Sequence, residues 1–141
     1  MANSMATLPR KIRIAAIALA GFSLSTQVLA DEAEKALAGE LLDCTAYYQI
    51  SSEAIAAMNA PQMQAVGERL KQSAADSLAL AGKYYGEGDL DAALKAARDK
   101  QIASMAGSSS LGNLMAKYKE SCKTLTANPQ ARLEYWQMAT M

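Results

Sequence analysis

The chain has 141 residues, with 14 Lys and Arg against 14 Asp and Glu, no His and two Cys. A length of this order makes one domain, near the lower end of the sizes that bury an adequate core unaided. Without His, the commonest general base and metal ligand is missing, and catalysis is left to carboxylates or to a Ser with a Lys base.

The first thirty residues have the pattern of a secretory signal. Arg10, Lys11 and Arg13 form a positive patch, Ile14 to Leu24 is apolar or small, and Val28-Leu29-Ala30 supplies a small-residue cleavage site. This divides the chain into a signal peptide over 1–30 and a helical domain over 31–141, and implies a periplasmic or secreted protein. The apolar run is shorter than the 18 or so residues of a membrane span, so cleavage is expected, with no stable membrane insertion afterwards. Residues 31–141 then carry 11 Lys and Arg against 14 Asp and Glu, a net charge of −3. A mildly acidic exported chain with no basic run is a poor nucleic-acid binder, because such binding needs clustered cations to displace counterions.

Taken in chain order, apolar or small residues first recur at alternating steps of four and three: Leu37, Leu41, Cys44, Tyr48, Ser51, Ile55 and Met58. That spacing is one face of a long helix. Pro61 disfavours helix at the residue before it and suits the first turn of the next one, so the first helix is expected to stop around Asn59-Ala60. Met63, Val66, Leu70, Ser73, Ser77, Leu80 and Tyr84 give a second helix, which Gly86-Glu87-Gly88 ends. Asp89 suits the cap of a third, whose apolar face reads Leu90, Leu94, Ala97, either Gln101 or Ile102, and Met105. Gly107 and the serines after it close that helix.

A fourth helix carries Leu111, Met115, Tyr118, Cys122 and Leu125. Asn128-Pro129 then pairs a capping residue with a proline at the first helical position, opening a short tail helix with Leu133 and Trp136 on one side. No stretch reads as a strand. The expected fold is all-α: an antiparallel bundle of four helices plus a short C-terminal helix, with short connections between neighbours.

Cys44 and Cys122 both fall on apolar stripes of their helices. They are not Cys-x-x-Cys, there is no His to share a metal, and an exported chain meets an oxidising compartment. A structural disulfide between the first and fourth helices is therefore expected, with no metal site and no cofactor.

Other constellations point to little chemistry. Asp43 and Glu53 flank the first helix's apolar face, where charged side chains usually stay solvated, so neither is assigned catalysis. The run from Glu87 to Asp91 fails as a calcium loop, since its sixth position is Ala92 and its twelfth Arg98. Leu80, Ala81, Tyr84, the Gly88-Asp89 turn and Ala93 resemble the centre of a tetratricopeptide repeat. The resemblance covers one helix hairpin: Lys100 stands where a small residue belongs, no proline closes the unit and no second copy follows. It implies an αα-hairpin between the second and third helices.

Three aromatic doublets remain: Tyr47-Tyr48, Tyr84-Tyr85 and Tyr135-Trp136. Neighbours on a helix point about 100° apart, so one member can face the core while the other is nearer the surface. Exposed Tyr and Trp are favoured interface anchors, which makes Tyr47, Tyr85, Tyr135 and Trp136 the candidate partner-binding residues. The resulting expectation is an exported, non-enzymatic protein-binding module, of the inhibitor or immunity type or a stress chaperone, whose partner is another protein. The alternative is a carrier of a small apolar ligand, held between helices lined by Met58, Met63, Met105, Met115 and Leu residues.

Overall fold

The structure is a computed structural model that describes residues 24–106 and 111–141, with side chains from Asp31 onward. Arg10, Lys11, Arg13 and the apolar run after them lie outside the described residues, as do Gly107 and the three serines; the backbone of Val28-Leu29-Ala30 belongs to the first helix. Among the described residues five α-helices follow one another: α1 (Leu24–Ala57), α2 (Gln64–Tyr85), α3 (Leu90–Met105), α4 (Leu111–Ala127) and α5 (Pro129–Ala139), with a 3-10 turn at Pro61–Met63. No strand occurs among the described residues.

The expected caps are present. The Asp89 carboxylate accepts from the Ala92 amide at 3.0 Å, and the Asn128 side chain accepts from the Ala131 amide at 3.2 Å with Pro129 next to it. Between α1 and α2 the chain reverses through Asn59, at φ 50°, and then the 3-10 turn. At the α2–α3 turn Gly88 has φ 142°, and a Cβ there would come within 2.9 Å of the Tyr85 ring. Glycine is required at that position both by the backbone and by the ring lying on it.

The bundle has a centre. All four other helices pack on α1, and they touch one another far less. Leu37, Ala38, Leu41, Leu42, Cys44, Thr45, Ala46, Tyr47, Tyr48, Ile50 and Ser51 are all buried, so this stretch of α1 has almost no solvent face. A helix that is apolar nearly all round must be covered all round.

Contacts fix how the cover is laid. α2 runs antiparallel to α1, with Thr45 against Ser77 and Ile55 against Gly67. Its buried residues are Ala74, Ser77 and Ala81, one position round from the stripe of Ser73, Ser77 and Leu80 expected from the sequence. Small side chains at the seam let the two helices approach closely, while Leu78 and Leu80 flank it, partly buried. The Thr45 and Ser77 hydroxyls hydrogen-bond each other at 2.8 Å and also reach the main-chain carbonyls of Leu41, at 2.9 Å, and Ala74, at 3.1 Å.

On α3 the buried residue is Gln101, whose amide donates to the Asp43 carbonyl at 2.7 Å, and Ile102 faces outward. α4 is antiparallel to α1, joined to it by the Cys44–Cys122 disulfide and by the stacking of Tyr118 on Tyr47 at 5.8 Å. α5 docks through Leu133 and through Arg132, which holds Glu40.

One expectation is overturned. α2 and α3 do not form a packed αα-hairpin of the tetratricopeptide kind, because beyond their turn they barely touch and each packs on α1 instead. The Leu80, Ala81 and Tyr84 positions serve the α1 seam and the turn instead of a repeat.

The disulfide spans 78 residues of sequence. In the chain-entropy model a loop of this size stabilises the fold by about 4 kcal/mol. Reduction is therefore expected to lower the Tm by roughly 15 °C, and the Cys44→Ala, Cys122→Ala double variant to melt with the reduced protein. Differential scanning calorimetry with and without reductant checks this.

Candidate functional site

Two grooves open where the cover of α1 is incomplete. The first, about 990 Å³, lies along the α1–α2 seam beyond Gln49 and is lined by Ile55, Ala56, Pro61, Gly67, Ala74, Ala75 and Leu78, with Ser52, Glu53, Gln64, Glu68 and Lys71 at its edges. Arg98 of α3 closes one end, donating to Gln49 Oε1 and to Glu53 Oε2, both at 2.9 Å.

The second groove, about 840 Å³, lies between α1, α4 and α5. Cys44 and Leu125 line it together with Glu40, Asp43, Lys100, Lys117, Tyr118, Ser121, Asn128, Arg132 and Tyr135. Its lining carries both signs, with Glu40, Asp43 and Glu120 against Lys100, Lys117 and Arg132. Arg132 grips Glu40 with both Nε, at 2.8 Å, and a terminal nitrogen. The same guanidinium lies 4.2 Å from the Tyr135 ring centre and 5.3 Å from that of Trp136. An ion pair on one edge and a ring on the face hold Arg132 in one geometry.

Asp43 is half-buried in this groove, and burial raises its carboxyl above the ordinary value of 3.8; Lys100 and Lys117 oppose the rise, and Glu40 adds to it. Asp43 and Glu53 do not meet. They lie in different grooves, ten residues and about 15 Å apart along α1, farther than a pair of cooperating carboxylates stands. Among the described residues no group of three or more His, Cys, Asp or Glu is placed to hold a metal ion.

The four aromatic candidates part company. Tyr47 is 1% exposed and cannot serve as a surface anchor. Both members of its doublet are inside, because α4 covers the side of α1 that a peripheral helix would leave open; burial raises both hydroxyls' pKa values. Tyr85 is partly buried over Gly88 and packs against the core, which makes it a turn residue. Trp136 is also partly buried, with its ring nitrogen turned inside.

Tyr135 is different. It is 47% exposed, and one turn on Met138 is 70% exposed. Arg132, one turn before and tied to Glu40 of α1, backs Tyr135 at the edge of the second groove, and at three-residue spacing Met138 carries the stripe on to the exposed side of α5. Met138 carried no weight in the sequence reading; its spacing from Tyr135 was the available signal. Met58, Met63, Met105 and Met115 line neither groove.

Fold and grooves together define the class: an all-α, single-disulfide bundle wound on one central helix. No protein-family model matches the chain, and no curated protein or solved structure matches it either.

The folded-state pKa of Asp43 lies above its unfolded value, so the folded protein binds that proton more tightly. The resulting stabilisation is complete below the unfolded value and is lost as the pH rises through the folded one. Asp43→Asn is therefore expected to raise the Tm at pH 7 by about 2 °C and to flatten the change in Tm between pH 7 and pH 4. Melting curves of both proteins across that range give the comparison.

Proposed function

We propose that this is an exported, non-enzymatic binding module that engages another protein through the outer surface of α5 and the groove beside it. The observation that carries the reading is the Arg132–Tyr135–Met138 stripe. Tyr and Arg are the residue types enriched in interface hot spots, and here the ring and the guanidinium are already locked together, so little side-chain entropy remains to be lost on binding. The salt-linked, two-signed rim of the groove suits discrimination between partners more than raw affinity.

Export is supported by the disulfide, which belongs to an oxidising compartment, and by the signal-like pattern of the first thirty residues. No helix among the described residues is long and apolar enough to cross a membrane. A stapled helical scaffold presenting a rigid surface fits an inhibitor or immunity-type protein, and equally a small stress chaperone.

The test is affinity capture by the oxidised protein from a cell-envelope extract, with captured proteins and small molecules both identified by mass spectrometry. A stoichiometric protein partner is expected, and Tyr135→Ala with Met138→Ser should weaken it by about 10- to 100-fold while leaving the Tm within 2 °C or so. Recovery of only a small apolar molecule would replace the binding module with a carrier.

A further inference from the structure

Beyond Ser51 the cover on α1 stops. From Ser52 to Ala57 only Ile55 is buried, and the first ten residues of α2, Gln64 to Ser73, include no buried side chain. The turn end of α1 and α2 thus extends past most of its cover, with Arg98 of α3 reaching its base at Glu53, and a stretch of helix gains most of its stability from a packed apolar face. The groove along this end occupies the place a third helix would fill. Its floor is small and apolar at Ala56, Gly67 and Ala75, which permits close helix approach.

We propose that the occupant is a second copy of this chain, with α2 of each copy lying antiparallel in the α1–α2 groove of the other, so that two such ends close into a four-helix bundle. The charges on the groove edge carry the choice. Glu68 and Lys71 both line the groove, both are exposed, and among the described residues neither has an ion-pair partner, whereas Glu53 and Arg98 at the far end are paired with each other. A two-fold interface demands a self-complementary patch, in which residue i meets residue j and j meets i. Glu68 and Lys71 are opposite charges three residues apart on one helix. A two-fold axis crossing α2 midway between them sets each Glu68 against the second copy's Lys71, forming two equivalent ion pairs. The same axis places Gln64 opposite the second copy's Ala75, a long side chain against a short one, on the floor of the groove.

This surface is independent of the one on α5, since the two grooves share no residue. Sedimentation equilibrium of the oxidised protein is the test. A monomer–dimer equilibrium is expected, and Glu68→Lys or Lys71→Glu alone should weaken it roughly tenfold, because each change turns both symmetric attractions into repulsions. The double reversal should restore it. Ala75→Arg, at an exposed helical position, should give a monomer with unchanged helix content, melting where the original protein melts once diluted to monomer. A protein that stays monomeric up to about 1 mM overturns the proposal. So does a dimer indifferent to the single reversals, one the double reversal fails to restore, or one lost with Tyr135→Ala instead.

Discussion

Between Leu37 and Ser51 the first helix has almost no face turned to water, and it takes four neighbours to make that so. The other helices do not form a core among themselves. They are a coat, and each is fastened to α1 by a different kind of contact. α2 uses a close small-residue seam with a buried hydroxyl pair; α3 uses the Gln101 amide on a main-chain carbonyl; α4 uses the disulfide and stacked tyrosines; α5 uses Leu133 and the Arg132–Glu40 pair. Directional contacts of this sort set the angle at which each helix lies, while apolar burial supplies the bulk of the free energy.

The same arrangement decides where the surface is interesting. A coat of unequal helices on one long rod leaves gaps, and the two grooves are those gaps. One opens past the last residue that α3 reaches, where Arg98 stretches to Gln49 and Glu53. The other opens beside the disulfide, where α4 and α5 meet α1 with room between them, and there the rod's own acids Glu40 and Asp43 come to the surface among cations from three other helices. Asp43 bears the cost of that position, half out of water with Lys100 and Lys117 opposing the shift without cancelling it.

Much of this was legible in the sequence. Element order, the caps at Asp89 and Asn128 and the break before Pro61 follow from local chemistry, which a sequence displays most directly, and the Cys44–Cys122 pairing follows from there being two cysteines and no other pairing to make. The role of α1 was missed because its residues were read as one stripe. Leu42, Ala46, Tyr47 and Ile50 fill the gaps between Leu41, Cys44, Tyr48 and Ser51, and an apolar surface all the way round is the mark of a central helix. That oversight placed Tyr47 on the outside and made Leu80 to Ala93 look like a hairpin, since a peripheral first helix would have left α2 and α3 to pack on each other. On α5 the separation of Tyr135 from Trp136 depended on which way the helix rolled, and tertiary contact with Glu40 settles that.

A chain is made from its amino end, and α1 emerges before the four helices that cover it. The helix most in need of cover comes ahead of its cover, with Cys122 78 residues behind its mate and Leu133 later still. Contacts of such long range cannot form until α4 and α5 are out, and until then the apolar circumference of α1 has α2 and α3 to shelter it. The α1–α2 pair, with its buried Thr45–Ser77 bond, is the one substantial unit that can assemble early, and it must keep the rest of the rod from sticking to something else while the coat arrives.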